Sequence, residues 1–173
     1  MVRLLRKATI PLTLLLVLAV MVMIFSFSAQ KAEASHRSSS GIVAWLMRLL
    51  MPDMDGWDAA AQSAMQNRIS FLVRKTAHVA EYLLLGFSLF LHVSAWRACR
   101  EIPTPRLLSF AVGLLYAASD EFHQRFVSGR SASAVDVLLD GFGVLLGILL
   151  LSMLTRLYGK KHDAGEGEEH ASP

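Results

Sequence analysis

A single cysteine, Cys99, stands in the 173 residues, so no intramolecular disulfide can form. No basic stripe interleaved with aromatics is present, and no nucleic-acid motif, which excludes a nucleic-acid partner. No serine sits in a G-x-S-x-G elbow, so nucleophilic catalysis is not signalled. His78-x-x-Glu81 and Asp120-x-x-His123 are not recognised metal signatures, and neither a metal nor another cofactor is expected. There is no internal repeat. Two interior hydrophobic runs are too short: residues 83–96 and 107–119 stop before the roughly 20 helical residues a hydrocarbon core of about 30 Å requires.

What is present is apolar sequence in blocks. The hydrophobic fraction, 54%, is only slightly above that of soluble domains, so its distribution decides the class. The blocks predict an all-α, polytopic membrane bundle: four transmembrane helices plus a short interfacial helix or plug. The expected spans are residues 10–27, 77–96, 107–126 and 134–154. Residues 1–9 form a basic N-terminus and residues 155–173 a basic, then disordered, tail. The membrane domain covers 10–154.

Pro11 lies in the first turn of the first span, where proline is tolerated. That span reads as a retained anchor, with a secretory signal peptide as the alternative, because Ala32-Glu33-Ala34 resembles a cleavage site. Residues 26–41, rich in serine, are expected as a surface loop. Residues 42–51 are apolar but too short to cross. Asp58 is placed to cap a helix starting at Ala59, and Ser133 with Asp136 to open the last span. Arg3, Arg6 and Lys7, the Arg97–Arg106 turn, and Arg156 with Lys160 and Lys161 are the basic flanks. All three agree with four spans and both termini cytoplasmic.

Extending the short runs to spanning length draws ionisable residues below the membrane surface. The second span then carries His78 and Glu81 just after Arg74 and Lys75. On a helix Arg74, His78 and Glu81 fall within roughly 60° of one another, with Lys75 and Tyr82 on the adjacent face. The third span ends in Asp120, Glu121, His123, Gln124 and Arg125; Asp120, His123 and Gln124 share a face and Glu121 points elsewhere. On the fourth span Asp136, Asp140, Gly143 and Gly147 make one stripe, whose glycines permit close helix approach. Charges facing lipid cost kilocalories each, so these stripes face inward. The expectation is one polar cavity in the outer leaflet, with Arg125 and Arg130 beside it. The competing expectation is helix glue: snorkelling at Arg74 and Lys75, and bridges of Arg130 to Asp120 or Arg74 to Asp136.

Arg-Lys-x-x-His-x-x-Glu-Tyr at 74–82, Asp-Glu-x-His-Gln at 120–124, Gly129-Arg130, and Asp136-Val137 with Gly143 and Gly147 together resemble the VanZ-like family. Phe25-Ser26-Phe27-Ser28-Ala29-Gln30 shares the resemblance, which runs from about residue 10 to 152. Ser128 and Asp140 depart from the family pattern, where proline and asparagine are common. The family takes its name from a bacterial protein associated with low-level resistance to teicoplanin, a lipoglycopeptide. The resemblance therefore implies a cell-envelope protein linked to antibiotic resistance, embedded in the lipid bilayer, whose partner is a glycopeptide or a lipid-linked envelope precursor. It names no reaction. Three functions follow: a binder of such an amphiphile; a membrane-embedded acid–base enzyme drawing on His78, Glu81, Asp120, Glu121 or His123; or a small proton-coupled transporter.

Overall fold

A computed structural model describes residues 2–97, 104–130 and 132–169. Helix α1 is Val2–Ser28, α2 Ala32–Leu50, α3 Ala59–Arg97, α4 Pro105–Gln124 and α5 Ala134–Glu169, with a 3-10 turn at Pro52–Gly56 between α2 and α3. The fold is all-helical. Three helices are long and apolar enough to cross a membrane among the described residues: within α1 (Thr9–Ser28), α3 (Ala59–Trp96) and α5 (Ala134–Leu157). Cys99 and most of the Arg97–Arg106 turn lie outside the described residues.

Local chemistry explains most boundaries. Asp58 caps α3 as expected, its Oδ1 accepting the Ala61 N–H at 2.8 Å. Pro105 occupies the first turn of α4, where its missing N–H costs nothing. Gly129, at φ 78°, makes the turn between α4 and α5.

Three expectations need correction. The serine-rich segment is not a loop: residues 32–40 are the first half of α2. Ser40 returns its hydroxyl to the Arg37 carbonyl at 2.8 Å, so a serine run without proline stays helical. The apolar residues 42–50 are the second half of that helix, and Val43, 1% exposed, is buried where α2 packs on α3. The helix expected from Ala59 and the span expected at 77–96 are one continuous 39-residue helix, about 58 Å long. A hydrocarbon core of roughly 30 Å holds only about half of it. The tail expected to be disordered continues α5 as helix to Glu169. Its Leu, Lys, Ala and Glu residues carry good helix propensity, and no proline interrupts them before residue 173.

The second half of α3 is the hub, packed against α5, α1 and α4. Ile24 from α1, Tyr82 and Leu85 from α3, Ala117 from α4, and Val144 and Ile148 from α5 meet in the core. The outer surfaces are apolar: Leu15, Leu115 and Leu138 are each more than 60% exposed. In lipid such side chains need no covering, so helix association rests on close packing. The expected seam of Gly143 and Gly147 packs on α3, a Cβ at 143 falling 2.6 Å from the Val79 carbonyl oxygen. Gly86 answers from α3 beneath the Val144 backbone, and Gly113 from α4 beneath its side chain.

Candidate functional site

The polar residues collect where α1 ends, α4 ends and α5 begins, against the middle of α3. Two adjoining networks result.

The deeper one centres on Asp120, 4% exposed. Its Oδ2 accepts the Ser28 hydroxyl at 2.6 Å, the Gln124 Nε2 at 3.2 Å and the Tyr82 hydroxyl at 3.3 Å. Gln124 also donates to Ser28 Oγ at 3.2 Å. Helices α1, α3 and α4 are thus tied at one carboxylate. Asp120 Oδ1 is buried without a partner among the described residues. Charge-assisted bonds of this kind are roughly twice as strong as neutral ones.

The second network lies between α3, α4 and α5. Lys75 pairs with Asp136, and its ammonium stands 5.4 Å over the Phe71 ring. Glu121 Oε1 accepts the Ser133 N–H at 2.6 Å. This changes the expected opening of α5. Ser133 caps it through a 3.2 Å bond from the Val135 N–H, but Glu121, not Asp136, takes the Ser133 N–H, leaving Asp136 for Lys75. A cleft of about 30 Å³ remains, lined by Lys75, His78, Glu121, Gln124, Asp136, Leu139 and Asp140. That is room for about two water-sized groups. Beside it, His78 Nδ1 lies 4.0 Å from Glu81 Oε2, too far for a hydrogen bond, and that buried oxygen has no other partner among the described residues.

Arg130 serves a third purpose. Its guanidinium donates to the Gln30 and Phe27 carbonyls, both at 3.1 Å, and so closes the C-terminal end of α1. Burial lowers its pKa from the ordinary range; Asp120, Glu121 and Glu81 act to raise it, and Arg74 to lower it. Asp120 meanwhile is held by Ser28, Tyr82 and Gln124.

Most of the expected set therefore converges, but not all of it. Glu121 does not point away: it is 5% exposed and faces the cleft. Because α4 touches α1 and α3 as well as α5, two of its faces are internal. His123 stands apart, half-exposed and stacked on Phe25 at 4.9 Å. Arg125 is exposed over Phe122 and belongs to neither network. Arg74 is half-buried in the turn before His78. Ser28 was missed among the candidates, although it stands in the stretch that carried the resemblance; a serine ending an apolar helix was its one signal. No three of the described His, Cys, Asp and Glu residues are placed to hold a metal.

The Glu121–Ser133 bond gives a first prediction. Glu121→Ala should leave the Ser133 N–H without its acceptor and cost about 1–2 kcal/mol. Hydrogen exchange should quicken at the amide of Ser133 in micelles. Unchanged protection there would mean that α5 does not depend on this tie.

Lipophilic helix faces around a buried polar centre define a helical membrane protein with ionisable groups inside the bundle. The chain belongs to the VanZ/LLP1 family, whose family model matches residues 13–155. No curated protein and no solved structure gave a significant match.

Proposed function

We propose that this is a four-span protein of the bacterial plasma membrane whose polar centre opens in the outer leaflet. There it binds the head of an amphiphilic envelope ligand and so contributes to glycopeptide tolerance. The observation that carries this reading is the cleft itself, charged within and flanked by apolar surface. Phe71 and Leu72 on α3, and Val135 and Leu138 on α5, are all more than half exposed around its polar residues. An alkyl tail would lie along these faces while a terminal polar group enters the cleft.

The fourth span in this reading is α4. Its buried stripe is small or polar: Ser109, Gly113, Ala117, Asp120, Glu121 and Gln124. Its exposed stripe is Leu107, Leu108, Val112, Leu115 and Phe122. That inside-out pattern suits lipid better than water. The basic flanks support cytoplasmic termini. Retention of α1 is supported by Ile24 and Ser28, each fully buried against the other helices.

The test is teicoplanin susceptibility of a sensitive Gram-positive host expressing the chain. Wild type should raise tolerance. His78→Ala, Glu81→Gln and Asp120→Asn, at matched membrane levels, should lose most of the gain. A wild type without effect removes the glycopeptide part of the reading.

A second reading, acid–base catalysis on a lipid-linked substrate, is favoured by the unpartnered oxygens of Glu81 and Asp120. Product formation from a labelled envelope lipid would distinguish it from binding alone.

A further inference from the structure

The cleft is unbalanced in charge. Three carboxylates, Glu121, Asp136 and Asp140, line it against one ammonium, Lys75, with His78 and Gln124 between them. With all three ionised and His78 neutral, the lining would carry two more negative charges than positive ones. Two of the acids are engaged: Glu121 accepts the Ser133 N–H and Asp136 pairs with Lys75. Asp140 is not. It is 3% exposed and faces the cleft, yet among the described residues its carboxylate accepts no hydrogen bond and joins no ion pair. A buried carboxylate without a donor is costly, so this group stands ready for one.

We infer that the cleft takes a primary ammonium group carried by an amphiphile, with Asp140 as its main acceptor and Lys75 as the resident ammonium it competes with. This rests on the headgroup-binding reading above and names the chemistry of the head. Size agrees with it: room for about two water-sized groups suits the narrow end of an aminoalkyl chain. The lining favours it too. An ammonium has three N–H donors, and the wall offers carboxylate acceptors. A quaternary ammonium is held best by the faces of Trp, Tyr or Phe, and none of these is among the described residues that line this cleft. A divalent ion finds no set of three ligands among the described residues. Lys75 already places one ammonium on Asp136, and its flexible four-carbon stem lets that head withdraw toward the Phe71 ring, 5.4 Å away.

The experiment is equilibrium titration calorimetry on the full chain in detergent micelles. The probes are short-chain phosphatidylethanolamine, phosphatidylcholine and phosphatidylglycerol, with ethylamine as the free-amine arm. Phosphatidylethanolamine should bind saturably, and the other two lipids about tenfold more weakly or worse. Asp140→Asn should reduce phosphatidylethanolamine to the level of phosphatidylcholine. Lys75→Met should tighten phosphatidylethanolamine several-fold, a gain that misfolding cannot produce. Ethylamine binding that depends on Asp140, without lipid binding, keeps the ammonium site and removes the amphiphile. Equal binding of the three lipids, or indifference to Asp140→Asn, overturns the ammonium assignment and leaves the headgroup reading standing. Weaker binding in Lys75→Met overturns the competition. No saturable binding of any probe overturns both readings.

Discussion

Gly147→Val should separate α3 from α5 and cost the protein most of its stability. A Cβ at position 147 falls on the Leu83 carbonyl oxygen and 2.6 Å from the Phe87 nitrogen. Both are helix backbone, which cannot swing aside as a side-chain tip can. The helices must therefore part, and every contact along their seam weakens together. Val144 lies in that seam, fully buried between Gly86 and Gly113. Dispersion falls by a quarter to a half when a gap opens by as little as 0.5–1 Å. Overpacking in ordinary cores costs about 1–3 kcal/mol. The loss here should exceed that range, because the obstacle is backbone. Thermal unfolding in detergent would measure it. Gly141→Ala is the control, since its Cβ meets only the Leu114 Cδ1 methyl at 3.0 Å. If both variants melt at the same temperature, the glycine seam is not what holds α3 to α5.

Asp120→Leu should be the second severe change, by a different route. It fills the site but removes the acceptor of three donors: the Ser28 hydroxyl, the Tyr82 hydroxyl and the Gln124 amide. Each buried donor left without an acceptor costs about 1–3 kcal/mol. Ser28 Oγ still accepts from Gln124, so some of the network survives. A net loss on the order of 3–6 kcal/mol follows. Asp120→Asn should be milder. Its one oxygen can take the place of Oδ2, and its amide the place of the unpartnered Oδ1. The pair separates structure from function. Asn should keep the fold while it tests the charge, whereas Leu should loosen α1 from α4. Similar melting temperatures for Leu and Asn would show that the carboxylate does not tie the helices.

How far the sequence led can be judged residue by residue. The polar stripes on α3 and α5 were legible because helical periodicity alone puts Lys75, His78, Asp136 and Asp140 on defined faces. The cap at Asp58 and the close approach at Gly143 and Gly147 were legible for the same reason: short-range geometry governs them. The partners across helices were not. Lys75 meets Asp136, Glu121 meets the Ser133 N–H, and Arg130 meets the end of α1. Each choice depends on the rotation and height of a second helix, which no spacing within one helix encodes. The same limit explains Glu121 and His123. Helical phase put His123 with Asp120 and left Glu121 out. Packing of α4 on both sides buried Glu121 instead and left His123 half-exposed beside Phe25.

The serine run and the long α3 teach a related point. Residues 32–40 look like loop by composition, yet hydroxyl groups can bond within a helix as well as within a turn. Hydrophobicity marks where a helix can enter lipid, not where the helix begins: α3 starts at Ala59, as the Asp58 cap implies, well before the span expected at 77–96.

By itself, then, the sequence determined the all-helical class, the apolar lengths, the caps and the faces on which charge would lie. These follow from local propensity and from periodicities of a few residues. Only the tertiary structure decided which charges share a cleft, that Asp120 joins three helices, and that Asp140 is left without a donor among the described residues. Those outcomes depend on distances between segments far apart in the chain, and such distances exist only once the helices have packed.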